Sequence, residues 1–175
     1  APQGLGTAPG DPTAAPAGTQ VLGHDLSGQG SAPGDYETLR TRSAISPELD
    51  FSALSAVELR FDRWLNVENT ATSSVDARDS GGTWHTVWST TDATDSAWSE
   101  QVFDVSAQAA GHAAFQLRFL QTSRFRTDAG WNVDRLFLRD ASVPTWGGCS
   151  ACGGDPTFAG AVAATDDDPC ADSGV

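Results

Sequence analysis

The tetrapeptide Asp79-Ser80-Gly81-Gly82 stands between two segments, residues 73–78 and 83–89, whose polarity alternates with period two. That period is the mark of a half-buried strand. Glycine takes positive φ without steric cost, so the tetrapeptide closes a β-hairpin with Trp84 and Trp88 on its return strand. The alternation recurs along the chain. In residues 56–67, Val57, Leu59 and Phe61 point one way while Glu58, Arg60 and Asp62 point the other. In residues 113–122, Phe115, Leu117 and Phe119 oppose Gln116 and Arg118. Residues 20–26, 36–46, 98–105 and 131–139 are extended too, with Val102 and Val105 the expected buried positions of 98–105. No segment holds a helical period over three turns. Many short strands separated by turn residues predict an all-β fold, a two-sheet antiparallel β-sandwich with jelly-roll order.

Three regions differ in texture. Residues 1–19 are almost wholly alanine, proline, glycine and threonine, with Asp11 the only charged side chain. Such a segment buries too little apolar surface to offset its ordering entropy and is expected to be a flexible linker. The sandwich is expected over residues 20–146. Residues 147–175 carry all three cysteines and are too short for a core of their own. They read as the start of a further module, or as an arm that packs on something outside the chain.

Charge narrows the partners. The net charge is −13, and all ten basic residues are arginine. A chain this acidic repels a phosphate backbone and an anionic membrane surface, and no apolar run is long enough to span a bilayer. The absent starting methionine, the cysteines and the linker composition together point to a secreted or cell-surface protein.

Catalytic residues are not expected. His24, His85 and His112 are scattered, and neither a His-Glu-x-x-His helix nor a Gly-x-Ser-x-Gly elbow occurs. Cys149 and Cys152 have the two-residue gap of zinc and redox sites. Zinc would lack ligands, and glycines stand where a redox motif needs a helix. A disulfide from Cys149 or Cys152 to Cys170 is expected, with one thiol left over. Asp166, Asp167, Asp168 and Asp172 lack EF-hand spacing and read as a solvated loop. Trp64, Trp84 and Trp131 are expected in the core. Trp88, Trp98 and Trp146 are open either to packing or to stacking on the rings of a glycan, with Trp88 and Trp98 the candidate ligand contacts.

Five motifs in order carry a family resemblance: Ser46-Pro47 with Leu49-Asp50-Phe51-Ser52; Trp64-Leu65-Asn66-Val67-Glu68; Ser80-Gly81-Gly82-Thr83-Trp84; residues 98–105; and Gly130-Trp131-Asn132-Val133-Asp134. Residues 20–140 thereby resemble the bacterial secreted jelly-roll domains related to animal MAM domains, which often follow the catalytic domain of secreted metalloproteases of the immune inhibitor A type. The resemblance implies a structural calcium ion near the sheet edge, with Asp134 and Glu68 on motifs that supply carboxylate ligands. Asp25, Asp35 and Glu37 would add oxygens from the N-terminal strands. The family pattern has two consecutive aspartates where this chain has Asp134-Arg135. The competing expectation is that Asp134 hydrogen-bonds nearby backbone or pairs with Arg63 or Arg135.

Two functions follow as expectations. One is a non-catalytic accessory or adhesion module of a secreted protein, calcium-stabilised and binding glycan or protein. The other is a structural subunit of an extracellular assembly, joined to identical subunits through its terminal arms.

Overall fold

The computed structural model describes residues 10–23, 35–36, 38–124 and 128–142. The chain divides into two units, Ala1–Ser142 and Val143–Val175, and the second lies outside the described residues. The expected disulfide of Cys149, Cys152 and Cys170, the acidic turn and Trp146 lie there with it.

The first unit is an all-β sandwich of the jelly-roll kind. Among the described residues, five strands form sheet A: β1 (Leu22–Gly23), β9 (Gly130–Asp140), β3 (Val57–Val67), β6 (Ala93–Thr94) and β7 (Ser99–Asp104). Their order is β1-β9-β3-β6, with β7 also pairing β3. Sheet B runs β2 (Thr41–Ile45), β8 (Gln116–Thr122), β4 (Thr72–Arg78), β5 (Trp84–Thr90). Every strand pair is antiparallel. The α-helix among the described residues, α1 (Ser106–Ala109), is a single turn. The hairpin of β4 and β5 closes as its glycines require: Gly82 has φ of 83°, and Asp79 accepts from the Gly82 N–H at 3.0 Å and the Thr83 N–H at 2.9 Å.

Alternation along β3 sends Val57, Leu59, Phe61, Leu65 and Val67 inward, all buried. They meet Val75 and Ala77 of β4 and Leu117 and Phe119 of β8, with Phe115 just before it. Phe61 sits at the centre. Its ring meets Phe119 edge-on at 5.1 Å, Trp131 at 6.4 Å and Phe103 at 6.0 Å between centroids. Packed aromatic edges of this kind add to the area they bury.

Charges on the strands are paired. Asp76 is buried on β4 and accepts from Arg118 at 2.7 and 3.0 Å and from Thr86 Oγ1 at 2.9 Å. The same Arg118 guanidinium lies 4.3 Å from the Trp84 ring centre. Arg63 grips Asp95 at 2.9 and 3.0 Å and lies 5.1 Å from the Trp88 ring centre.

Three sequence expectations need correction. Val102 is 44% exposed, because it pairs opposite the outward Arg60, while Phe103 opposite Leu59 takes the inward place. Trp131 is buried in the core, but Trp64 and Trp84 are half-buried on the outer faces: Trp64 is in phase with outward Asp62 and Asn66, and Trp84 pairs Arg78. Residues 10–17 of the expected linker are hydrogen-bonded onto sheet A.

Phe61→Ala is expected to lower unfolding free energy by about 3–5 kcal/mol, whereas Val102→Ala should stay within about 0.5 kcal/mol; urea unfolding compares the two. Arg118→Met strands the buried Asp76 carboxylate and should cost about 3–5 kcal/mol, read in the same way.

Candidate cation site beneath an N-terminal strap

Outward positions of β3 and β9 make a polar, aromatic strip. Pairing sets Trp64 opposite Asn132 and Asn66 opposite Gly130, with Asp134 one alternation further along β9. Trp98, just ahead of β7, leans edge-on against Trp64 at 5.9 Å between centroids. The segment 10–17 is strapped across this strip. The Gly10 carbonyl accepts from the Trp64 indole N–H and, at 2.7 Å, from the Asn66 amide. Asp11 Oδ1 accepts from the Asn132 amide at 3.1 Å. Pro12 is buried. The Ala14 carbonyl accepts from the Trp98 indole N–H at 2.8 Å, and the Ala17 N–H donates to Asp134 Oδ2 at 3.1 Å. Gly10 has φ of +134°, and a Cβ there would stand 3.0 Å from the Asn66 amide nitrogen. The position demands glycine.

The residues that hold the strap carry buried oxygens. Among the described residues, Asp11 Oδ2, Asn66 Oδ1 and Asn132 Oδ1 are buried and find no hydrogen-bond partner, and the two asparagines are only 2% and 1% exposed. Leaving such an acceptor unsatisfied costs on the order of 1–3 kcal/mol, so three beside one short segment need a physical reason. The surrounding field supplies one. Burial pushes the Asp11 carboxyl up to about 6, with the charges of Asp35 and Asp128 adding and the Asn132 hydrogen bond opposing. Asp128 is raised by burial and then by Glu68 and Asp35. The Tyr36 phenol is raised first by burial, with Asp128, Glu68 and Asp35 adding to it. Tyr36 ties these groups together: its N–H donates to the Asp128 carbonyl at 2.9 Å, and its hydroxyl oxygen accepts from the Glu68 N–H at 3.3 Å. Among the described residues, the charges that act on Asp11 and Asp128 are the carboxylates of Asp35, Asp128 and Glu68.

The donor set is carboxylate and amide oxygen, without nitrogen or sulfur. That composition suits a hard cation, calcium above all, which takes six to eight oxygens including carbonyls and water. Among the described residues no three acidic, histidine or cysteine side chains converge tightly enough to hold a metal by themselves.

Of the residues expected to bind calcium, Asp35 acts electrostatically on Asp11 and Asp128, and Glu68 on Asp128. Asp134 does something else: its two oxygens accept from the Ala17 N–H and, at 2.7 Å, from the Arg135 N–H, the backbone role that competed with metal binding. Arg63 pairs Asp95, and the Arg135 guanidinium pairs the buried Asp62. Asp25 and Glu37 lie outside the described residues. Sequence reasoning missed Asp11, Asn66, Asn132 and Asp128. Two signals were present. Asp11 is the lone charge of a linker-like segment, and Ala-Pro-Gly-Asp occurs twice, at 8–11 and 32–35, each copy ending in an aspartate of this cluster.

The expected glycan contacts are engaged within the protein. Trp88 meets Trp131 edge-on at 5.8 Å and lies against Arg63. Trp98 holds Trp64 and the strap. His85 is surface-exposed and pairs Asp79 at 2.6 Å.

No protein-family model matches the chain, and no curated protein matches it. Among solved structures, that of TmCBM61 in complex with beta-1,4-galactotriose matches at 14% identity with a TM-score of 0.34, over 69% of this chain and 81% of that one. Neither figure supports a functional inference. Among the described residues no helix is long and apolar enough to cross a membrane.

The Asp11 carboxyl has a raised folded pKa, so its contribution to stability is fullest below about pH 4 and is lost as pH rises through about 6. In calcium-free buffer the stability difference between the protein and Asp11→Asn should therefore shift against the parent protein across that window. Urea midpoints at pH 4 to 7 measure it. A difference that is flat with pH removes the buried, negatively surrounded Asp11.

Proposed function

We propose that the chain is a non-catalytic binding module of a secreted or cell-surface protein, and that a calcium ion clamps its N-terminal strap to the sandwich. One observation carries the metal: buried Asn66 and Asn132 present unpartnered oxygens beside Asp11, in a field built from carboxylates. Asp11, Asp35, Asn66 and Asn132 would hold the ion, with Asp128 and Glu68 adding negative charge around it. A divalent cation there would engage the Asp11 carboxylate and the amide oxygens together. It would turn a segment of linker composition into an ordered part of the domain. The five sequence motifs support an accessory role of the kind found beside secreted metalloproteases.

The outer face of sheet B supports a glycan-binding variant. Trp84 is half-exposed under the Arg118 guanidinium, Asp76 is held by the same arginine, and Gln116 is held by Arg78 at 2.7 Å. An indole with fixed polar groups beside it is suited to a sugar ring and its hydroxyls. The ligand contact would then be Trp84 in place of Trp88 and Trp98. A glycan array on the protein and on Trp84→Ala tests it: binding lost in the variant supports the face, and no binding to any glycan removes it.

Calcium at about a hundred times its dissociation constant stabilises a folded state by about 2.7 kcal/mol, which for a domain of this size is roughly 5–10 °C in melting temperature. Calcium should raise the melting temperature by that order and chelator should reverse it, while Asp11→Ala and Asn132→Ala should melt alike in both. A parent protein that melts identically with calcium and with chelator has no such site.

A further inference from the structure

The strap is bound as a ligand is bound. Each of its first three residues has its own receptor. Gly10 fits where a Cβ would press on the Asn66 amide, and its carbonyl takes two donors. Asp11 is clasped by the Asn132 amide, and Pro12 is buried. Gly-Asp-Pro-Thr, the sequence of residues 10–13, occurs a second time in this chain, as Gly154-Asp155-Pro156-Thr157. The partial copy at Gly34-Asp35 continues with Tyr36 and lacks the proline. The full tetrapeptide is therefore confined to the strap and to the unit Val143–Val175.

We propose that the groove of Trp64, Asn66, Trp98 and Asn132 is a recognition site for Gly-Asp-Pro-Thr, and that its second ligand is Gly154–Thr157 of another copy of this chain. The resident strap is tethered to its own groove at an effective concentration in the millimolar range, so an incoming segment binds by exchange. The displaced strap carries the same tetrapeptide and can seat in a further copy. Residues 143–153 separate the second motif from the first unit. Eleven residues of chain can span at most about 35–40 Å. Groove and tail are different surfaces, so the contact is heterologous and propagates into rings or open chains. The proposal goes beyond the calcium-binding module and does not require the metal.

A synthetic peptide covering residues 150–159, with Cys152→Ser, is titrated into the full-length isotope-labelled chain, in calcium and again in chelator. The indole N–H resonances of Trp64 and Trp98 are followed. Both should move. The same peptide carrying Asp155→Ala should bind at least about tenfold more weakly, the loss of one charge-assisted hydrogen bond. The Asp11→Ala chain, with its resident strap weakened, should bind the peptide about tenfold more tightly. Sedimentation of the full chain should show concentration-dependent association that Asp155→Ala reduces. Indole resonances that do not move in either condition, for the parent chain, overturn the proposal even if Asp11→Ala fails to fold. Indoles that respond in a chain that stays monomeric at every concentration overturn the second-copy assignment. A failed calcium titration leaves these readouts unaffected, so the two ideas fall separately.

Discussion

The sandwich depends on the aromatic junction of Phe61, Phe119 and Trp131, where sheets A and B meet. β3 runs the length of sheet A and pairs with β9, β7 and β6, so its inward row fixes where all three neighbours lie. With that row committed to the core, the outward row of β3 must satisfy Asp62, Trp64 and Asn66 by other means. Asp62 takes Arg135, and Trp64 and Asn66 take the Gly10 carbonyl. The strap is thus the answer to a strand that is buried on both faces over half its length.

Irregularity in β9 makes this arrangement reach across the sheet. The β3–β9 register shifts between Arg60 and Asp62, and Arg135 opposite the shift has φ of 44°. A bulge of this kind bends its strand and re-aims side chains. Here it turns the Arg135 guanidinium to Asp62 and leaves the Asp134 carboxylate to cap its own bulge and hold Ala17. The arginine that follows Asp134, which departs from the two-aspartate pattern of the resembling domains, has a structural task of its own.

How far the sequence reveals all this depends on the range of the interactions. Period-two alternation located β3, β4, β5 and β8 and named the inward residues of β3 and β8, because a strand with one buried face writes that face into its own composition. Val102 misled because its register against β3, which no local pattern encodes, sends it outward while Phe103 turns in. Trp64 and Trp84 misled because an aromatic residue looks the same to the sequence whether it fills the core or lies under an arginine or a strap. The oxygen cluster was half visible: Asp35 and Glu68 were named, whereas Asn66 and Asn132 carry no charge and Asp11 sits in a segment whose composition denies it structure. Its hydrogen-bond partner, Asn132, lies 121 residues away.

That separation has a consequence for the order in which the protein assembles. Asp11 is joined to Asn132 across 121 residues and Ala17 to Asp134 across 117, and among the described residues β1 pairs with β9 alone. On a ribosome the first described residues to emerge are therefore among the last that can find their places. Until β9 has been synthesised, the strap has only Trp64, Asn66 and Trp98 to hold it, and β3 lies open along the edge that β9 will take. Contacts of such long sequence separation are slow to form, so the interval between the emergence of β3 and the arrival of β9 is when this chain is most exposed to pairing with a neighbour.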